Sequence, residues 1–342
     1  MRDTAQRAGG AVDPHSFQER RSGLLRRAGE AALRWREASI LLAGVMLAAY
    51  FQSTNPAFLS LSNVENLIDY TATSSIIAAG QVMVLVCGEL DLSVGMVYAL
   101  SPFVMHFAAA AGLPSGVAVV LALAAAGLVG LVNGSVTTLL SVPAFVTTLG
   151  TMFLVNGLTL TISGGFPVEP HAASSFAAIF GASPWARFAW SLAIAIVLQF
   201  VLNRTRFGLH TVATGGNLVA AAEVGIGINS VKVRNFVLCS MLGGFAGIID
   251  AFRIGSIDPL AGGAEITFAA IAAAVIGGTL LTGGSGTVIG ALVGALVLGI
   301  LKDGFTLSGV SAFTFDMILG GAILLTMAIN VRLTMWRDRG GG

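Results

Sequence analysis

Long apolar runs alternate with short polar stretches along the whole chain. A helix that crosses about 30 Å of hydrocarbon needs about 20 mostly apolar residues. The first such run is Ser39–Phe51, extended at either end, and the others lie near 66–87, 94–111, 117–140, 145–163, 185–202, 235–252, 266–282, 286–302 and 313–330. The second and third runs are interrupted by Asp69, Gln81 and the Glu89/Asp91 pair. This pattern predicts an all-α, polytopic membrane protein with about ten transmembrane helices.

Basic residues lie in three segments that predict the orientation of these spans. Eight arginines precede residue 38, four basic residues lie in the loop 203–234, and three lie after residue 331. Six and four predicted spans separate these segments, so one orientation places all three in the cytoplasm, as basic loops prefer. We therefore expect an Arg-rich cytoplasmic arm at 1–37, a transmembrane domain at 38–332 with the cytoplasmic loop 203–234, and a cytoplasmic tail at 333–342. Only Arg187, Arg253 and Lys302 remain near the opposite face.

Composition supports a membrane protein and excludes several other classes. Of the 342 residues 55% are hydrophobic and only 10% are charged, against about 25% charged in soluble domains. The net charge of +1 gives no basic field that would attract nucleic acid. Two cysteines in apolar runs and four scattered histidines provide neither a disulfide framework nor metal-ligand spacing, so no metal site is expected.

The chain lacks the residues that two kinds of enzyme activity, nucleotide hydrolysis and intramembrane proteolysis, would need. Its only lysines, Lys232 and Lys302, follow valine and leucine, so a phosphate-binding loop with a Gly-Lys pair is impossible. Residues 282–286 contain the G-x-S-G string of an intramembrane serine protease, but no histidine follows His210 to act as the base. We expect that stretch to be a tight glycine turn and the protein not to be an enzyme.

Two carboxylates stand between apolar runs in the segment 87–95. Glu89 and Asp91 alternate with leucines and are followed by Ser93 and Gly95, a pattern typical of an irregular segment. Ionisable groups at membrane depth usually face a cavity or a partner, so these four residues are candidates for a pathway or structural motif. Alternatively the acids are solvated in a loop, with Asp91 capping the next helix. Asp91 is the stronger candidate, and we expect Asp91→Asn to impair transport or assembly more than Asp69→Asn.

Polar residues also interrupt the fifth predicted span. Thr147, Thr148 and Asn156 place hydroxyls and an amide in an apolar run. They either line a passage for a polyhydroxylated solute or bond back to helix carbonyls.

Glycines recur at four-residue spacing in the ninth span. Gly286, Gly290 and Gly294 predict a smooth helix face that lets another helix backbone approach closely.

The cytoplasmic loop 203–234 contains a compact motif. Asn217 is a good N-cap residue and Gly225 a good helix terminator, so a two-turn helix rich in small residues is expected between them. A helix of this kind fits the surface of a partner protein. The candidate docking residues are Gly215, Gly216, Asn217, Ala220, Ala221, Glu223 and Gly225.

Four strings, in order, resemble one family. Residues 89–95 (ELDLSVG) resemble the signature I-D-L-S-V-G, residues 142–150 resemble P-x-F-[IV]-x-T-L-G, and residues 215–226 resemble G-G-N-x-x-A-A-x-x-x-G-I. Residues 273–301 are similar to that family's glycine-rich late spans. The family comprises the permease subunits of bacterial ABC importers for ribose and related monosaccharides. Glu89 and the Lys302-Asp303 pair depart from its pattern.

The resemblance implies a function and a set of partners. It implies a multi-pass permease of the bacterial inner membrane, surrounded by lipid, that pairs with a second permease subunit as a homodimer or heterodimer. A periplasmic solute-binding protein would deliver a monosaccharide or related solute, and a cytoplasmic ABC ATPase would dock on the 215–225 segment. The chain itself would carry no cofactor, since ATP and Mg²⁺ would bind the ATPase.

Two other transporter classes remain open. A branched-chain amino acid ABC permease has a broadly similar layout, and the strings at 89–95 and 215–226 favour the sugar class over it. An ion-coupled secondary transporter would need a relay of buried acids. The possible members are Asp69, Glu89, Asp91, Asp250 and Asp316, although Asp250 is spaced to pair with Arg253 on one helix face.

Overall fold

The computed structural model describes residues 38–311 and six isolated positions between 314 and 324. The arm 1–37, most of the predicted tenth span, Asp316 and the tail 333–342 lie outside the described residues. The described chain is all-helical apart from loops and one isolated β-bridge between Val168 and Ile257. Its helices are α1 (Ala38–Thr54), α2 (Leu61–Val86), α3 (Val94–Ala110), α4 (Ser115–Leu139), α5 (Ala144–Ser163), α6 (Ser174–Ala177), α7 (Pro184–Arg204), α8 (Arg206–Gly216), α9 (Leu218–Glu223), α10 (Ile228–Ile254), α11 (Ala264–Ile276) and α12 (Val288–Leu307).

Helices stand where the first nine apolar runs predicted them. Five of them, α4, α5, α7, α10 and α12, are long and apolar enough to cross a membrane. Three shorter apolar helices, α1, α3 and α11, accompany them, and α2 is 26 residues long but carries Glu65, Asp69 and Gln81. The total of ten spans and the orientation of the termini stay predictions.

Helices α2 and α10 form the centre of the molecule. Helix α10 packs against α4, α3 and α2, while α2 also contacts α12, α7 and α11. Glycines bring these backbones close together: a Cβ on Gly130 would meet the Val237 Cα at 2.7 Å, and one on Gly80 would meet the Cys239 Cα at 3.0 Å. Such contacts replace the hydrophobic driving force that is missing between helices in lipid.

The glycine face predicted in the ninth span is shorter than expected. Helix α12 begins at Val288, so Gly286 lies outside it, in the turn that joins α11 to α12. Gly290 and Gly294 do pack α12 against the end of α11, where added Cβ atoms would overlap the carbonyl oxygens of Gly277 and Ala273. Gly283 and Gly284, with φ of 85° and 77°, form the tight turn expected at 282–286.

One helix, α3, begins in the interior of the protein rather than at its surface. After α2, residues 88–93 run back along that helix as irregular chain, and the Gln81 side-chain amide donates to the Asp91 carbonyl at 2.5 Å. At 1.5 Å per residue, Gln81 lies about 7.5 Å inside the end of α2. Here α3 starts beside α11: the Gly263 N–H donates to the Gly95 carbonyl at 3.1 Å, and the Gly95 N–H donates to the Thr267 hydroxyl at 3.1 Å. We call this contact the half-helix junction.

Candidate functional site

The loop between α7 and α10 folds into the two-turn helix expected from its sequence. The Asn217 side chain accepts a hydrogen bond from the Ala220 N–H at 3.0 Å, and Gly225, with φ of 82°, ends α9. Ala221 is buried, whereas the apolar side chains of Leu218, Val219 and Val224 are exposed. Helix α9 therefore presents an apolar surface at one end of the molecule, which we call the α9 end.

Direct backbone contacts connect the end of α8 to two membrane helices. The Gly284 N–H donates to the Val86 carbonyl at 2.8 Å, and Gly215 packs against the same carbonyl and against Gly284. The end of α8, the end of α2 and the turn before α12 thus touch at one point. This contact connects α8, which directly precedes α9, to α2 and to α12.

A cavity of about 330 Å³ lies beside α9. Glu89 and Lys232, which line it with Leu218 and Pro143, form a salt bridge that is mostly buried. The ion pair joins the irregular segment after α2 to the second turn of α10. The pairing also explains how the chain accommodates Glu89, an acid that departs from the pattern of the resembled family.

Exchanging the two charges tests this connection. We expect Lys232→Met to lower the free energy of unfolding by about 1–3 kcal/mol, between the effects for exposed and fully buried pairs. The double variant Glu89→Lys/Lys232→Glu should recover most of that loss. Thermal unfolding of the detergent-purified protein measures both. If the stability of the double variant equals that predicted by adding the effects of the two single substitutions, the two side chains do not interact.

Asp91 is fully buried and is not a solvated loop residue. One of its carboxylate oxygens accepts from the Ser93 N–H at 2.8 Å and from the Ser93 hydroxyl at 2.7 Å. Asn133 of α4 donates to the same hydroxyl at 2.8 Å, and the Ser240 hydroxyl lies 3.5 Å from the other carboxylate oxygen. Asp91 therefore holds the chain just before α3, and Ser93, not Asp91, occupies the N-cap position.

The remaining pathway candidates face protein rather than a cavity. The Thr148 hydroxyl donates back to the Ala144 carbonyl at 2.8 Å, Thr147 is buried, and Asn156 is half-buried on α5. Gly95 lies at the half-helix junction. Of the seven candidates, Glu89 lines the cavity beside α9, and none lines the cavity at the opposite end of α10.

A cluster of charged residues that the sequence did not single out as one site lies at the opposite end of α10. Asp69 of α2 forms a salt bridge with Arg187 of α7, and the Arg253 guanidinium lies 3.7 Å from its other oxygen. Asp250 pairs with Arg253, as their spacing predicted, and accepts a hydrogen bond from the Tyr98 hydroxyl. The cluster joins α2, α3, α7 and α10.

These contacts change the expected importance of Asp69. The Arg187 side chain is only 4% exposed, so removing its partner leaves a buried cation uncompensated. Asparagine at position 91 could still accept the hydrogen bonds from Ser93. On these contacts we expect Asp69→Asn, rather than Asp91→Asn, to be the more damaging change, which is the reverse of the order expected from the sequence.

A second cavity, also of about 330 Å³, adjoins this cluster. We call it the opposite-end cavity. Its polar lining is Asp69, Tyr70, Thr73, Ser74, Tyr98, Asp250, Arg253, Glu265 and Lys302. Its remaining lining residues are Leu260, Ala261, Gly262 and Ile266, so it reaches the half-helix junction. Lys302, the other unusual residue of the resembled pattern, lies 3.5 Å from Glu265.

Two of the histidines that are scattered in the sequence meet in space. Their Nδ1 atoms, in His106 and His171, are 3.2 Å apart, and both side chains are near the surface. Within the part of the chain that the structure describes, no group of three or more potential ligands is arranged to hold a metal ion.

Comparison with known proteins gives a family match over most of the chain. A family model described as "Branched-chain amino acid transport system / permease component" matches residues 63–327. The xylose/arabinose import permease protein of Sulfolobus acidocaldarius is 36% identical over 301 residues, covering 86% of this chain and 84% of the relative.

Two further relatives have similar coverage. The ribose import permease protein of Escherichia coli K12 is 35% identical over 84% of this chain and 91% of its own length. The autoinducer 2 import system permease protein of Photorhabdus luminescens is 33% identical over 87% of this chain and 90% of its own length. No solved structure matches the chain.

Proposed function

The chain belongs to the family of permease components of branched-chain amino acid transport systems, and on that premise we propose that it is the permease subunit of an ATP-driven importer for a monosaccharide or related polyhydroxylated solute. It is a membrane transport protein and not an enzyme. Relatives at 33–36% identity are named for xylose and arabinose, ribose and autoinducer 2. Those names favour a sugar or sugar-like solute over a branched-chain amino acid, although the family's description mentions the latter.

The exposed apolar surface of α9 is the observation that supports ATP coupling best. Leu218, Val219 and Val224 are 48%, 67% and 76% exposed, next to the backbone contact that leads into α2 and α12. Three neighbouring large apolar side chains exposed on a loop in contact with water mark a surface that a partner covers. We infer that α9 is a coupling helix that docks in a separate cytoplasmic ATPase, which binds ATP and Mg²⁺.

The other partners and the topology follow from the same proposal. A second permease subunit would complete the pathway, and a solute-binding protein would deliver the solute on the face opposite α9. The loop 203–234 and both termini would lie in the cytoplasm. The protein would reside in the inner membrane with about ten spans, and residues 38–332 would form the transmembrane domain.

An ion-coupled mechanism has little support from the described acids. Asp69 and Asp250 are paired with arginines and Glu89 is paired with Lys232. A proton or cation relay needs a series of carboxylates that change their charge during the cycle, whereas Asp91 is the one member of the possible relay without a salt bridge among the described residues, where it bonds to Ser93. We therefore favour ATP as the energy source.

Charged substitutions on α9 test the coupling proposal. Val219→Glu and Glu223→Arg should each weaken ATPase association about tenfold or more, because one buried contact of about 1.4 kcal/mol corresponds to a factor of ten. Ser230→Glu, at an exposed position in the first turn of α10, serves as the matched control. Copurification and ATP-dependent uptake in proteoliposomes are the two measurements. Normal association and uptake in both α9 variants would remove α9 as the coupling helix.

A further inference from the structure

We propose that the opposite-end cavity is the place where this permease contacts its solute, and that it takes an uncharged ring bearing several hydroxyls. The chemical identity of the solute rests on the proposed function. The location of the site rests on the cavity itself. None of the pathway candidates read from the sequence lies in it.

The position of the cavity suits a solute pathway. Asp250 and Arg253 lie in the last turn of α10, at the end away from α9, and the cavity reaches inward to Gly262. There it meets the half-helix junction, where α3 begins inside the protein beside the start of α11. Interrupted helices with irregular backbone are tolerated within a membrane where they are covered by protein or line a cavity, and in transporters such interruptions commonly form the solute site.

The volume and the lining suit a small polar ligand. A volume of about 330 Å³ lies at the small end of the range for ligand pockets, about 300–1,000 Å³. Hydroxyl donors and acceptors from Thr73, Ser74 and Tyr98 lie among carboxylates and cations. The ring of Tyr70, over which the Lys302 ammonium lies at 5.3 Å, adds a flat apolar surface at the wall.

One buried hydroxyl lacks a partner in this structure. Thr73 is 9% exposed, and its Oγ1 atom is buried with no hydrogen-bond partner. A buried polar group of this kind is normally satisfied by protein, water or ligand. Thr73 lines the cavity, so a rotation of its side chain towards the cavity would allow Oγ1 to bond a hydroxyl of a bound solute.

The pairing of the charges favours a neutral ligand over an amino acid. Asp69 and Asp250 are engaged by Arg187 and Arg253, and Glu265 lies beside Lys302. A zwitterion would have to break such pairs to find partners for its own charges, which is costly. A sugar hydroxyl can donate to a paired carboxylate or accept from a paired cation while the pair stays intact, since it is both a donor and an acceptor.

Thiol labelling of the complete permease complex in nanodiscs tests the site. Both native cysteines, Cys87 and Cys239, are buried, so Ser74→Cys, at a half-buried position that lines the cavity, would introduce an accessible thiol against a low background. A small methanethiosulfonate reagent should modify it, and an aldopentose or aldohexose at ten times its Kd should slow the modification about tenfold. The sugars used are D-ribose, D-xylose, L-arabinose and D-glucose, with L-leucine as the amino acid.

A neighbouring threonine provides the control. Thr71 is on the same helix and also has a buried hydroxyl without a partner, but it contacts Gly299 and lies outside the cavity. Thr71→Cys should show no protection by sugar. In proteoliposomes, Thr73→Val should transport several-fold less solute per ATP hydrolysed than wild type, while Thr71→Val keeps the wild-type ratio.

The outcomes separate this site from the function on which it rests. If wild type imports one of the sugars with ATP but none of them protects Ser74→Cys, or Thr73→Val keeps the wild-type ratio, the site is wrong and the function stands. Protection by leucine and not by sugar would overturn the neutral-ligand assignment. If wild type imports none of the five compounds with ATP, the proposed function itself is wrong.

Discussion

Asp69→Asn is expected to lower the free energy of unfolding by about 3–5 kcal/mol, the usual result of removing one partner from a buried ion pair. Arg187 would remain buried, with the Gly181 carbonyl as its other partner, and Arg253 would lose a second acid nearby. Because the pair joins α2 to α7, its loss should also reduce the amount of protein that reaches the membrane. Thermal unfolding in detergent measures the effect.

Two variants control for this interpretation. Glu65→Gln, on the same helix at a half-buried position, should change stability by only about 0.5 kcal/mol, because Glu65 has no ion pair among the described residues. The double variant Asp69→Asn/Arg187→Met removes both charges and should recover most of the lost stability. An Asp69→Asn protein as stable as Glu65→Gln would mean that the ion pair is absent in the membrane.

The second large effect is expected at Gly215, which is tightly packed, and not at its neighbour Gly216, which has open surroundings. A Cβ on Gly215 would overlap the Val86 carbonyl oxygen and lie 2.8 Å from the Gly284 nitrogen, whereas one on Gly216 would meet nothing nearer than the Gly284 Cα at 3.7 Å. Backbone atoms cannot rotate away as a side chain can. Gly215→Ala should therefore cost about 1–3 kcal/mol or more and abolish solute uptake, while Gly216→Ala should be nearly neutral.

Uptake and ATPase activity measured together show what the contact does. If the contact transmits the movement of α9, the Gly215→Ala protein that remains folded should hydrolyse ATP with its ATPase partner but import little solute. Equal behaviour of the two alanine variants would contradict the tight contact between α8 and α2. An uptake defect confined to Gly216→Ala would contradict it as well.

Periodicity and capping were enough to predict most of the local structure. The apolar runs located nine helices, and Asn217 and Gly225 defined α9 to within a residue, because caps and glycine terminators act over only a few positions. The boundary of α12 was less predictable. Gly286 continues the spacing of Gly290 and Gly294, but the turn formed by Gly283 and Gly284 delays the helix to Val288.

The cavities were not predictable because they depend on contacts between distant parts of the chain. Asp69 meets Arg187 across 118 positions and Glu89 meets Lys232 across 143. A single sequence shows that these charges are unusual in apolar runs but not which of them meet. The available signal was depth: Arg187, Arg253 and Lys302 were all expected opposite the loop 203–234, and in the structure they lie around the cluster at the end of α10 away from α9. Asp91, in the conspicuous motif, forms hydrogen bonds to Ser93 that hold the start of α3, and a pathway role for it stays a prediction.

The central claim is that this permease moves a sugar at the expense of ATP hydrolysed by another subunit. The most direct measurement is uptake of radiolabelled ribose or xylose into proteoliposomes that contain the permease and its copurified ATPase, with the solute-binding protein added outside and ATP inside. We expect uptake that requires ATP and is lost in the Val219→Glu variant but not in Ser230→Glu. Uptake by the permease alone, driven by a proton or sodium gradient without ATP, would contradict the claim.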